Sequence, residues 1–172
     1  MTESGLEKKL EGYKESVVLG QGAGLAATYA GISNVDKIAK YIPGIDGLLN
    51  YNLNFFGKSF NLGLPVVGAA LNFIGDHVGF AASLYAYNKD KYKGLKGKAR
   101  FAKDFYNLSI RHLGGYAITY PLAIGASALA LGTGLLTGAL AVTFPYIIES
   151  VITGLGYLFS TKRYRKAAYA PS

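Results

Sequence analysis

The chain contains 172 residues, of which 18 are Lys or Arg and 10 are Asp or Glu, so its formal net charge is +8. Charged residues make up only 16% of it, against roughly a quarter in ordinary soluble domains, and 51% of the residues are apolar. The absence of cysteine excludes a disulfide framework, a thiolate metal site and a cysteine nucleophile, and the many Phe and Tyr side chains argue against disorder.

The N-terminal residues 1–15 mix acidic and basic side chains and are unlike a signal peptide. They hold four Glu and three Lys, with no apolar run before residue 17. We expect a short amphipathic helix that lies on the cytoplasmic face of a membrane.

Long stretches with almost no charge follow, and they predict membrane-spanning helices. Residues 16–35 and 113–148 carry no charge, and 59–88 carry one acid, Asp76. About 20 helical residues cross a hydrocarbon core of about 30 Å, so the stretch from 105 to 161 is too long for one crossing and should break at Gly132-Thr133-Gly134. The predicted fold is an all-α, four-helix membrane bundle with spans at about 16–34, 60–87, 105–131 and 135–160.

Two other architectures compete with four spans. A soluble helical bundle would need a polar face on each helix, and the run LGGYAITYPLAIGASALALG has none beyond hydroxyl groups. A β structure would need strict alternation of apolar and polar residues, which is absent, and a lone strand is not stable in lipid. Residues 41–57, which are aromatic and rich in Asn, fit either an interfacial or re-entrant segment or a plain loop outside the membrane.

The basic residues indicate the orientation of the bundle. Seven Lys or Arg lie in the predicted loop 89–103, while the turn at 132–134 has none. Since short basic loops stay in the cytoplasm, both termini, the 89–103 loop and the basic tail 162–172 are predicted to face it, in the inner membrane of a cell. Topology and anionic lipid explain this cluster, so we expect no nucleic-acid partner.

Small residues spaced four apart predict close packing between helices. Such pairs let backbones approach each other in lipid, where burial alone gives little driving force. They favour a tight bundle, and a chain of four spans is expected to need a homo-oligomer to enclose a path. The pairs are Gly20 with Gly24, Gly75 with Gly79, Gly134 with Gly138, and Ser150 with Gly154.

Ionisable residues within predicted spans are the candidate functional groups, because such residues are costly in lipid. Asp76 and Glu149 each lie about 12 residues, or about 18 Å, from the cytoplasmic end of their helix. Either carboxylate could bind a proton or a substrate ammonium group, and Arg111 could bind a substrate carboxylate. A purely structural ion pair with Arg111 is the alternative. His77 and His112 complete the predicted pathway, although His112 could instead extend to the cytoplasmic interface.

The sequence carries no recognisable catalytic constellation. Asp76 and His77 are neighbours, so on a helix they point about 100° apart. No G-x-S-x-G elbow occurs, and GQGAG at 20–24 does not match a phosphate-binding loop. We therefore expect no enzymatic activity, no cofactor and no metal site.

Three short patterns resemble the L-alanine exporter family of small four-span inner-membrane proteins, over about 65–166. The family motif Tyr-Gly-x-Tyr-Arg-Asp corresponds to residues 85–90, where Tyr85 and Asp90 match and Lys89 replaces the arginine. Asp104 and Tyr116 fit an aspartate that opens the third span and a tyrosine about a dozen residues later. The last-span pattern and its basic tail are similar at Ser150, Gly154, Tyr157, Arg165 and Lys166.

The resemblance implies export of a small amino acid driven by the proton gradient. Tyr85, Lys89, Asp90 and Asp104 would then gate the cytoplasmic mouth. The alternative is that Lys89 and Asp90 are only anchors at the membrane interface. The chain departs from the family at Pro65, which lies far upstream of the second-span motif, and at 36–59, which has no counterpart. These departures weaken the prediction of the substrate more than the prediction of the topology. A non-enzymatic structural or assembly subunit of a membrane complex is the alternative function.

Overall fold

The computed structural model describes residues 10–55 and 57–152, with the side chains of all of these except Phe55 and Arg111. The basic tail, the end of the predicted fourth span and most of the predicted N-terminal helix lie outside this range. The elements are α1 (Tyr13–Ser33), α2 (Val35–Ala39), α3 (Ile45–Leu49), β1 (Asn52–Phe55), β2 (Lys58–Asn61), α4 (Gly63–Tyr87), α5 (Gly94–Thr133) and the described part of α6 (Gly138–Ile152).

The predicted all-α class is confirmed, with one small addition. Strands β1 and β2 form an antiparallel hairpin in which Asn52 pairs with Asn61. Residues 60 and 61 therefore belong to a strand, and the second predicted helix begins at Gly63 rather than at 60. The side chain of Asn61 explains this start, because its Oδ1 accepts a hydrogen bond of 2.9 Å from the backbone N–H of Leu64 in the first turn of α4.

Helices α1 and α4 run antiparallel, and their backbones meet at glycines. A Cβ atom placed on Gly24 would lie 2.8 Å from the carbonyl oxygen of Asn72, and one on Gly75 would lie 2.7 Å from the Cβ of Ala27. Real Cβ atoms do not approach that closely, so the absence of a side chain is what permits this contact. Two predicted small-residue pairs, at 20/24 and 75/79, thus lie in the helix interface. Gly134 and Gly138 do not, since a Cβ on either would meet nothing within 4 Å.

Helix α5 is longer than the predicted third span. It begins at Gly94, so residues 94–103 of the predicted basic loop are helical, and it continues through Pro121 without ending. Lys, Arg, Ala and Leu all favour helix, and the cationic side chains of this segment are exposed to solvent, which explains why the charged sequence extends the helix. The helix ends at Gly134, whose φ of 70° is left-handed, as the predicted break requires.

Two helices in the described ranges are long and apolar enough to cross a membrane. They are α4 and the segment His112–Thr133 of α5. The core helix of a soluble protein meets the same criterion, but only 17% of the α5 segment is buried within the structure. The described part of α6 is apolar and has 15 residues, and α1 does not meet the criterion.

Large apolar side chains are exposed on all four long helices. A soluble monomer seldom exposes apolar patches of more than a few hundred square ångströms, and larger ones mark contact with a membrane or a partner. Those of the long helices include Val18 and Leu19 on α1, Ile74 and Val78 on α4, Ile118, Leu122 and Leu129 on α5, and Leu140, Phe144 and Ile152 on α6.

Candidate functional site

Two polar side chains of α4 are buried against the glycine face of α1. Asp76 is 6% exposed and Asn72, one turn away, is 5% exposed. A Cβ atom on Gly20 would lie 2.8 Å from the backbone oxygen of Asp76, so α1 closely covers this side of the carboxylate. This face of α4 therefore points into the interior of the bundle.

Helix α5 supplies a hydrogen-bond donor to each of these side chains. The Tyr116 hydroxyl donates to Oδ2 of Asp76, and the Tyr120 hydroxyl donates to Oδ1 of Asn72 over 2.8 Å. The two tyrosine rings lie side by side, with centroids 4.8 Å apart. The two donors are four residues apart on α5, and the two acceptors are four residues apart on α4. Each pair therefore lies on one face of its helix. The buried carboxylate is therefore enclosed by α1 and α5.

Helix α6 brings a second carboxylate towards the same place. Glu149 is partly buried and lies within electrostatic range of Asp76 and Tyr120. One turn before it, Tyr146 is fully buried and packs edge-on against Tyr120, with ring centroids 5.5 Å apart. Asp76 and Glu149 thus come from separate helices to one region, as the sequence predicts.

The two histidines lie nearer the end of the bundle where α4 finishes. Nε2 of His112 is 3.1 Å from the Tyr13 hydroxyl, and its ring packs against Phe80 at 5.2 Å. Aromatic contacts with α1 and α4 thus hold the His112 ring, and its alternative position at the cytoplasmic interface stays a prediction. Nδ1 of His77 lies 2.9 Å from the Phe73 carbonyl, so Nδ1 carries the proton.

Arg111 belongs to α5 and precedes His112, but its side chain lies outside the described part of the chain. Its role as a carboxylate-binding group stays a prediction, as does the alternative ion pair. The described partner of Asp76 is instead a tyrosine.

The four predicted gate residues do not converge. Lys89 and Asp90 are exposed, and Asp90 forms an ion pair of 2.7 Å with Lys93. This hydrogen-bonded pairing lowers the pKa of Asp90 and raises that of Lys93. A fully exposed ion pair contributes little to stability, so it is a weak candidate for a closing contact.

Tyr85 and Asp104 meet at a residue that the sequence analysis did not single out. The Tyr92 hydroxyl donates a hydrogen bond of 3.3 Å to Oδ2 of Asp104, and the Tyr85 ring stacks on the Tyr92 ring at 6.0 Å. Burial, and then the Asp104 carboxylate, raise the pKa of Tyr92 to about 12. This pair anchors the start of α5 to the turn after α4.

The sequence reasoning missed Tyr13, Tyr120 and Tyr146 as members of the polar cluster. The spacing of His112, Tyr116 and Tyr120 could have revealed one of them, because residues four apart share a helix face. Tyr146 precedes Glu149 by three residues and shares a helix face with it in the same way, whereas no such spacing points to Tyr13. Comparison with family models, with curated proteins and with solved structures finds no match for this chain.

Proposed function

We propose that the chain is a small inner-membrane carrier that exports a small amino acid in exchange for protons. Its α1, α4, α5 and α6 would cross the lipid bilayer, with both termini in the cytoplasm, and the unit would be a homo-oligomer. The exposed apolar side chains on all four helices support contact with lipid. The resemblance to L-alanine exporters suggests the substrate class, a small zwitterion.

The observation that carries this proposal is the hydrogen bond from Tyr116 to the buried Asp76 on a membrane-length helix. An ionisable group inside a span is costly, and such groups mark ion or substrate paths. Glu149 nearby adds a second carboxylate, and two carboxylates in an apolar interior attract a cation. A proton or a substrate ammonium group could bind there in turn, which is the requirement for exchange.

Flux measurements in liposomes test the proposal. Purified protein would be reconstituted with a pH gradient and labelled alanine, glycine or serine. We expect gradient-driven flux from the wild type, and flux near that of empty liposomes from Asp76→Asn. Asp46→Asn is the matched control, since Asp46 is exposed on α3, and it should transport normally. Equal flux from Asp76→Asn and wild type would contradict the proposal.

A structural or assembly subunit is the second candidate, favoured by the exposure of α5. With 17% of its apolar segment buried, α5 could be covered by helices of a partner as well as by lipid. This function predicts no flux for any substrate. It also predicts that Asp76→Asn changes only the yield of a larger complex, measured by native electrophoresis of detergent-solubilised membranes.

A further inference from the structure

We propose that protons reach Asp76 from the end of the bundle that bears the basic segment 89–103, by way of Tyr13, His112 and Tyr116. This inference rests on the proposed proton-coupled export and adds the side from which the site is reached. The route follows from the order of polar groups between the end of α4 and the middle of the helices.

The outer step of the route is the contact between α1 and α5. Tyr13 lies in the first turn of α1, where a Cβ on the neighbouring Gly12 would meet the ring of Tyr87 at the end of α4. Its hydroxyl is 3.1 Å from Nε2 of His112. Imidazole and phenol groups both donate and accept hydrogen bonds, so a proton can pass between them. The pair therefore links the α4 end of the bundle to the face of α5 that carries the site.

The inner step is the tyrosine one turn further along α5. Tyr116 follows His112 by four residues, with ring centroids 6.4 Å apart, and it donates to Asp76. His77 lies beside both, with its ring 5.7 Å from that of Tyr116. Nε2 of His77 is buried without a hydrogen-bond partner among the described residues. The ring of His77 therefore offers a hydrogen-bond acceptor beside Tyr116, on the same side of the site as His112.

Towards the opposite end the interior is mainly apolar, although it includes the buried hydroxyl groups of Thr28, Ser127 and Thr143. One helical turn from Asn72 and Tyr120 in this direction, the interior is filled by Ala69 of α4 and Ala123 of α5, which are 7% and 4% exposed. Beyond them lies a cluster formed by Ile32, Val67 and Val142. The Thr28 hydroxyl in this region donates to the Gly24 carbonyl over 2.9 Å. The basic end also contains an apolar cluster, which includes Val17, Phe80 and Leu84, but the Tyr13–His112 contact lies beside it. This contact is what places the proposed entry at the basic end.

The groups that surround the two proton-binding centres come from all four long helices. Asp76 faces Gly20 and Gly24 of α1, Tyr116 and Tyr120 of α5, and Glu149 of α6.

The second centre, His112, faces Tyr13 of α1, and His77 and Phe80 of α4. Among the polar groups of this set, His112 and Tyr13 lie nearest the basic end of the bundle, so they are the residues to change.

Two transport assays on the reconstituted full chain test the route. Flux driven by a pH gradient needs net proton movement, whereas exchange of labelled for unlabelled alanine at equal pH does not. We expect His112→Gln and Tyr13→Phe to lower gradient-driven flux by roughly tenfold or more and to leave exchange unchanged. Tyr29→Phe is the matched control, because Tyr29 is exposed on α1, and it should change neither assay.

The outcomes separate this inference from the proposed function. If Asp76→Asn abolishes gradient-driven flux while both route variants transport normally, the route is wrong and the proposed function stands. An equal loss of exchange and flux in His112→Gln would also overturn the route, since it would indicate a role in substrate binding or folding. Normal flux from Asp76→Asn would instead contradict the proposed function.

An infrared measurement gives a readout that does not depend on transport. The protonated Asp76 carboxyl group has a C=O band, which can be assigned by its loss in Asp76→Asn. After transfer to D2O the band shifts as deuterium replaces the proton. We expect this shift to be slower in His112→Gln than in wild type, and an unchanged rate would overturn the route.

Discussion

Tyr120 donates a 2.8 Å hydrogen bond to Asn72 one helical turn away from the hydrogen bond that Tyr116 donates to Asp76. The two bonds have the same spacing on both helices, so together they fix the register of α5 on α4. Helix α1 is held differently, through direct backbone approach at its glycines. The α1–α4 pair is thus joined by main-chain packing, and α5 joins it through side-chain hydrogen bonds and aromatic contacts.

Removal of either tyrosine hydroxyl should destabilise the bundle. A buried hydrogen bond to a neutral group contributes about 1 kcal/mol, and one to a charged group about 1.5–3 kcal/mol. We expect Tyr120→Phe to lower the free energy of unfolding by about 1 kcal/mol. Tyr116→Phe should lower it by about 1 kcal/mol with Asp76 protonated and by about 1.5–3 kcal/mol with Asp76 ionised. Denaturant titration in detergent measures both. Tyr29→Phe, at an exposed position, should behave as wild type, and equal stability of all three variants would contradict the register role.

Replacement of glycine by alanine should have opposite effects on stability at the two faces of α1. A Cβ on Gly24 would lie 2.8 Å from the Asn72 carbonyl oxygen, whereas one on Gly22 would meet nothing within 4 Å. Overpacking costs about 1–3 kcal/mol, so Gly24→Ala should lower the melting temperature. Gly22→Ala should maintain or raise it, because alanine favours helix over glycine by about 1 kcal/mol. The same loss for both variants would indicate that α1 does not pack through this face.

The absence of cysteine in the chain permits a direct test of topology. Leu95, at the start of α5, is 87% exposed, and Tyr41, between α2 and α3, is 85% exposed. In intact cells, a membrane-impermeant maleimide should label Tyr41→Cys and should label Leu95→Cys only after permeabilisation. The reverse pattern would invert the proposed orientation. Recovery of the chain in the soluble fraction would contradict membrane insertion.

The raised pKa of Tyr92 predicts a loss of stability at high pH. Burial, followed by the Asp104 carboxylate, raises this pKa to about 12, against about 10 for an unfolded tyrosine. The stabilising contribution of the neutral phenol is therefore complete below about pH 10 and is lost as the pH rises towards 12. Tyr92→Phe should show a weaker fall in melting temperature between these values. The difference in phenolate absorbance between the two proteins should give the Tyr92 pKa, and a value near 10 would contradict its burial.

The approximate positions of the long apolar helices could be predicted from the distribution of charge. Stretches without charge can form such helices regardless of how their side chains pack. Gly134 was predictable as a break for a related reason, since glycine adopts the left-handed conformation without strain. The start of α5 was not predictable in this way. A run of basic residues indicates which side of a membrane it occupies, and it does not determine whether the run is helical.

The candidate site was predictable in part. Asp76 and Glu149 were found because a carboxylate in an apolar stretch is conspicuous. Tyr116 was singled out by the family resemblance and not as a donor to Asp76, and Tyr120 was not found. Aromatic residues are common in such helices, so the three-dimensional packing is what identifies both as donors. The hairpin of residues 52–61 was missed because its pairing depends on a partner strand rather than on alternation within one strand.

The 40 uninterrupted residues of α5 measure about 60 Å, twice the thickness of a hydrocarbon core of about 30 Å. A carrier built on this helix would possess a lever arm that projects from the membrane. Gly94 lies about 40 Å from Pro121, so a tilt of about 10° at the proline would swing the positively charged tip by about 7 Å. Rearrangement around Asp76 would therefore be readable from outside the bilayer, as a change in distance between fluorophores attached at the tip and at Tyr41.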